Sequence, residues 1–280
     1  MDILTPYLPY LVYVGIGALA GLVAGVFGLG GGAVVVPVLV FAFKWQGMAP
    51  AVLTQMAIGT SLATIVVTAL SAIRTHQRRG AIRWTLVAQL VPGVLIGTVL
   101  GGTVAARLRG ELLQFGFGVF LLLVAFQMAF GVRVGVRDGP PPGRVLQAGA
   151  GAVIGFASGI FGIGGGSLTV PWLSWCREPM VVAVATSAAL GFPIALSGAA
   201  TYGFGGSGAT ALPEWTWGFV YLPALLGIVA TSTPFARWGA RLAHRLPDPI
   251  LRRSFALVAL LVGVQFMVRN LPFGAGLSWF

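Results

Sequence analysis

Of the chain's 280 residues, 57% are hydrophobic and 8% charged, and the mean hydropathy is +0.94. A soluble domain carries charge on about 25% of its positions, so 17 Lys+Arg and 6 Asp+Glu are too few to coat a water-facing surface. Soluble enzymes, secreted scaffolds and nucleic-acid binders are excluded, and the net charge of +11 reads as basic residues that hold cytoplasmic loops in place.

Apolar stretches predict helical segments over residues 8–27, 33–43, 51–73, 84–105, 112–132, 145–161, 167–176, 180–202, 216–236 and 250–268. None shows the period-two alternation of a transmembrane β-barrel strand. The expected fold is an all-α polytopic membrane protein whose non-protein surroundings are a lipid bilayer. The first stretch follows Asp2 and has no basic leader, so it reads as a retained helix, not a signal peptide. The lone Cys176 excludes an internal disulfide or a cysteine-based metal cluster. Residues 74–83, which include His76, read as a basic loop.

The chain repeats itself. Residues 21–39, GLVAGVFGLGGGAVVVPVL, match residues 155–173, GFASGIFGIGGGSLTVPWL, at ten of nineteen positions. Gly28, Gly30, Gly31, Gly32 and Pro37 thereby pair with Gly162, Gly164, Gly165, Gly166 and Pro171. Further on, Thr60-Ser61 matches Thr186-Ser187, Pro92 matches Pro223, and Gln127 matches Gln265. The division is a first repeat over 1–132, a Pro-rich cytoplasmic linker over 133–144, and a second repeat over 145–280. With five segments per repeat the second half inserts upside down. Thirteen bases then fall on one side, and Lys44, Arg107, Arg109 and Arg269 on the other. Fusing segments 1 and 2, and 6 and 7, erases that bias, so the inverted arrangement is preferred and both termini lie outside the cytoplasm.

Segments 2 and 7 are too short to cross alone at 1.5 Å per residue. They read as half-helices of re-entrant hairpins whose Gly-rich turns lie at membrane depth. Such backbone is tolerated only inside protein or around a wet cavity, and paired interruptions in two repeats point to a transport site. Glycines let successive N–H groups converge, and a following half-helix presents its positive end to an anion. The alternative role for spacings such as Gly21/Gly25 and Gly155/Gly159 is close helix packing. Thr60, Ser61, Thr186 and Ser187 lie near mid-depth, where they would either donate to an anion or bond within the protein. No Asp, Glu, Lys or Arg lies mid-span, which disfavours cation coupling. No cofactor motif, metal-spaced cluster or catalytic set is present, so the chain is not read as an enzyme.

The paired glycine signatures at 21–37 and 155–171, the Thr-Ser helices and the length together resemble the TauE/SafE sulfite exporter family. That resemblance covers nearly the whole chain. It implies a bacterial inner-membrane permease for a small anionic substrate, sulfite or an organosulfonate such as sulfoacetate. The implied substrate residues are Gly30, Gly31, Gly32, Gly164, Gly165 and Gly166, with Thr60, Ser61, Thr186 and Ser187. Gly28, Pro37, Gly162 and Pro171 shape the turns. Two other readings stay open: an uptake carrier or channel for another anion, and a membrane assembly subunit without transport of its own.

Overall fold

In lipid every backbone N–H and C=O must be satisfied inside the protein, so apolar runs become helices. The computed structural model describes residues 8–27, 32–130, 142–206, 208–209, 211–243 and 248–270. Gly28, Gly30, Gly31, the termini and most of the linker 133–144 lie outside these residues.

The described residues form α1 (Leu8–Phe27), α2 (Gly32–Trp45), α3 (Pro50–Arg78), α4 (Trp84–Arg107), α5 (Gly110–Phe130), α6 (Arg144–Phe161), α7 (Gly166–Trp175) and α8 (Met180–Gly205). Strands β1 (Thr216–Trp217) and β2 (Val220–Tyr221), then α9 (Leu222–Ala243) and α10 (Asp248–Arg269), complete the chain. Helices α3, α4, α5, α6 and α8 each contain a stretch long and apolar enough to cross a membrane.

Local chemistry sets the ends. Pro50 opens α3, where its missing N–H costs nothing. Gly162, at φ +68°, closes α6 in the left-handed conformation that glycine adopts without strain.

Two expectations are corrected. The stretch 216–236 is not helical throughout: residues 216–221 form an antiparallel hairpin, with Thr216 opposite Tyr221. Gly218, at φ +53°, makes its turn, and hydropathy does not distinguish an apolar strand from the first turn of a helix. The basic segment 74–83 is not all loop, because α3 continues to Arg78 and carries His76 in its last turn.

The halves trade partners. Helix α1 packs along α9, with Gly17 against Ile228 and Gly21 against Ser232. Helix α6 packs along α4 in the same way, with Gly151 against Leu90, Gly155 against Val94 and Gly159 against Thr98. Each of these glycines sits on a neighbouring backbone that a Cβ would strike, which is small-residue packing. Two corresponding pairs, α3 with α8 and α5 with α10, run antiparallel. On α3 and α8, Gly59 meets Tyr202 while Leu62 meets Gly198. Between α5 and α10, Gln114 accepts from Asn270, just past the end of α10, while Gly118 meets Gly263.

The loops gather at two ends. At one end Arg83, just before α4, pairs with Glu178, between α7 and α8, at 3.3 Å. At the other, the Gln55 amide donates to the Leu108 carbonyl at 2.8 Å, joining the start of α3 to the α4–α5 turn. At that second end Tyr13, Phe43 and Tyr221 meet edge to face.

Candidate functional site

Helix α7 has 10 residues, about 15 Å of rise, and α6–α7 doubles back within the protein. Near the base of this hairpin the Trp172 indole donates to the Gln147 side-chain carbonyl at 2.9 Å. The turn and the start of α7, residues 162–167, are buried throughout, and Ile163 is 0% exposed.

Two left-handed glycines shape the turn: Gly162 ends α6, and Gly165, at φ +74°, is the residue immediately before α7. Gly165 offers no side chain to cap α7. The N–H groups of Gly166 and Ser167 open the helix, where no intrahelical acceptor exists. A buried helix end of this kind presents partial positive charge and unpaired donors.

The start of α2 reaches the same turn. Gly32, the first residue of α2, is buried, and a Cβ on it would stand 2.6 Å from the Gly162 carbonyl oxygen. Pro37 and Pro171 occupy the sixth positions of α2 and α7. A proline there lacks the N–H that would bond back to Ala33 or Ser167.

The four hydroxyl candidates are buried, at 0% for Thr60, Ser61 and Thr186 and 3% for Ser187. Ser61 donates to the Gly162 carbonyl at 2.9 Å, which ties α3 to the turn. Thr60 accepts the Tyr221 N–H at 3.0 Å, and Thr186 accepts the Arg83 N–H at 3.1 Å. Each threonine thus receives the backbone just before a helix of the opposite half. An accepting hydroxyl keeps its own proton, so Thr60 and Thr186 stay able to donate. Gly164 turns its carbonyl towards Gly191 of α8, 3.1 Å from where a Cβ would stand.

Sequence reasoning missed a second set. Among the described residues, Ser158, Ser167, Thr169, Ser174 and Thr98 carry buried hydroxyls that meet no hydrogen-bond partner. Leaving such a group unsatisfied costs about 1–3 kcal/mol. Three of the five, Ser158, Ser167 and Thr169, flank the α6–α7 turn. The available signal was a difference between the repeats: Ala24, Ala33 and Val35 stand at the matching positions of the first half. Also among the described residues, no Asp, Glu, Lys or Arg is buried.

A polytopic helical bundle with a buried, glycine-built turn, at which the short helices α2 and α7 both begin, has the architecture of a membrane transporter. Comparison with known proteins gives the family. The profile described as Sulfite exporter TauE/SafE matches residues 13–266. A probable membrane transporter protein of Haemophilus influenzae is 34% identical over 257 residues, covering 91% of this chain and 96% of its own. A second, from Bacillus subtilis, is 27% identical over 282 residues, covering 94% and 98%. No solved structure matches. The chain belongs to the TauE/SafE sulfite exporter family and is a multi-pass membrane transporter.

Proposed function

We propose that the chain is an inner-membrane permease that exports small sulfur oxyanions, sulfite or organosulfonates such as sulfoacetate. The observation that carries this reading is the buried turn 162–166, where the uncapped amide end of α7 faces inward with no buried ionic side chain in the described protein. Such an end favours an anion, and a neutral donor set binds it weakly enough to release it.

In this reading the halves 1–132 and 145–280 are inverted repeats joined by the cytoplasmic linker 133–144, and both termini are periplasmic. The antiparallel pairing of α3 with α8 and α5 with α10 supports the inversion. The amides of Gly30–32 and Gly164–166 face the anion, with Thr60, Thr186 and Ser187 as hydroxyl donors. Ser61 acts through Gly162, whose carbonyl takes its proton.

Export of an anion across an inside-negative membrane gains about 2.3 kcal/mol per charge per 100 mV. No proton relay is required. Reconstituted protein should therefore move sulfite at a rate that follows a potential set with valinomycin and potassium. Flux that ignores voltage and vanishes when the pH gradient collapses would contradict the proposal.

A further inference from the structure

Hydroxyls on membrane helices ordinarily donate to their own helix's carbonyls. Much of this protein does so: Thr64 donates to Ser61, Thr103 to Val99, Ser197 to Pro193 and Thr201 to Ser197, all at 2.7–2.8 Å. Ser158, Ser167 and Thr169 break the habit. They are 0%, 8% and 0% exposed, and their hydroxyls find no partner.

The three residues flank one feature, the open end of α7. Thr169 Oγ1 lies 3.3 Å from where a Cβ on Gly165 would stand, so it points back at the open end of α7. Ser167 lies in the first turn of α7, beside that end. Ile154 of α6 reaches within 3.8 Å of the same point, and Ser158 follows it by one helical turn on the same buried face. The first hairpin has no such set: Ala24, Ala33 and Val35 stand in their places, and Ala33 and Val35 are buried.

We propose that the second hairpin adds a hydroxyl grip on the substrate that the first hairpin lacks. Ser158, Ser167 and Thr169, with the Gly166 and Ser167 amides, form a donor cage for an oxyanion bearing three or more acceptor oxygens, to which the first hairpin brings no matching hydroxyl. The inference rests on the anion-permease reading and makes the site asymmetric despite the repeated motif. Three hydroxyls that rotate independently suit several oxygens on one centre better than a single-atom halide.

The test uses the purified full-length protein with sulfite, sulfate and chloride as probes, measured by calorimetry, alongside thermal melting without anion. Ser158→Ala and Thr169→Val should each weaken sulfite and sulfate binding about tenfold. Both should leave the anion-free melting temperature unchanged or raised, since each removes an unsatisfied buried group. Thr169→Ser should restore affinity, and Thr103→Val should change nothing. Wild-type affinity in Ser158→Ala and Thr169→Val, or a fold lost when either hydroxyl is removed, would overturn the cage while leaving the permease intact. Chloride bound as tightly as sulfite would overturn the oxyanion assignment. A wild-type protein that neither binds nor moves sulfite or sulfate would overturn the permease reading and the cage together.

Discussion

Ser61 and Gly162 stand 101 positions apart, yet the serine hydroxyl donates to the glycine carbonyl at 2.9 Å inside the bundle. The bond fixes the end of α6 against α3, and with it the place where α7 begins. Ser61→Ala should lower stability by about 1 kcal/mol and leave Gly162 with a poorly satisfied carbonyl. Its effect on sulfite affinity should be less than threefold, because the proton is already committed. Melting and binding measured on the same preparation check both numbers.

Gly165→Ala should be far more damaging. The backbone sits at φ +74°, which a side chain rarely adopts, and the new Cβ would stand 2.5 Å from Ile194 Cδ1. Sulfite flux should fall at least tenfold in proteoliposomes, and Gly165→Val should abolish it. The exposed Gly80→Ala, at φ +63° with no atom near the added Cβ, is the control for strain alone.

Thr60 and Thr186 should behave as a matched pair. Each accepts one backbone N–H from the opposite half, at 3.0 and 3.1 Å. Thr60→Val and Thr186→Val should each cost about 1 kcal/mol by leaving a partly buried N–H without its protein partner, and Ser at either position should recover most of it. The two sites lie in different bonds, so the double variant should be close to additive. Denaturation in detergent reads the sum.

The two ends of the bundle should label differently in intact cells. In a Cys176→Ser background, Gly47→Cys and Arg109→Cys should react with an impermeant thiol reagent added outside, and Gly80→Cys should not. Strong labelling of Gly80→Cys would reverse or refute the proposed orientation.

The sequence by itself determined the class of protein and nearly all of its helices, because lipid admits only segments that satisfy their own backbone. It also determined where to look, since GxGGG followed by proline recurs 134 positions later on segments too short to cross. Hydropathy failed at residues 216–221, where apolar side chains serve a two-stranded hairpin as readily as a helix.

What only the tertiary structure decided is how each small or polar residue is used. Gly155 and Gly159 pack against α4, whereas Gly162 and Gly165, in the same motif, turn the chain through left-handed conformations. Thr60 and Thr186 reach loops of the other half, and Ser61 reaches Gly162. Comparing the repeats drew attention to positions that agree, while Ser158, Ser167 and Thr169 are positions where they differ. A hydroxyl has the same formula whether it bonds to its own helix or to nothing. Its surroundings alone, assembled from helices far apart in the chain, settle whether its proton is committed or left to a ligand.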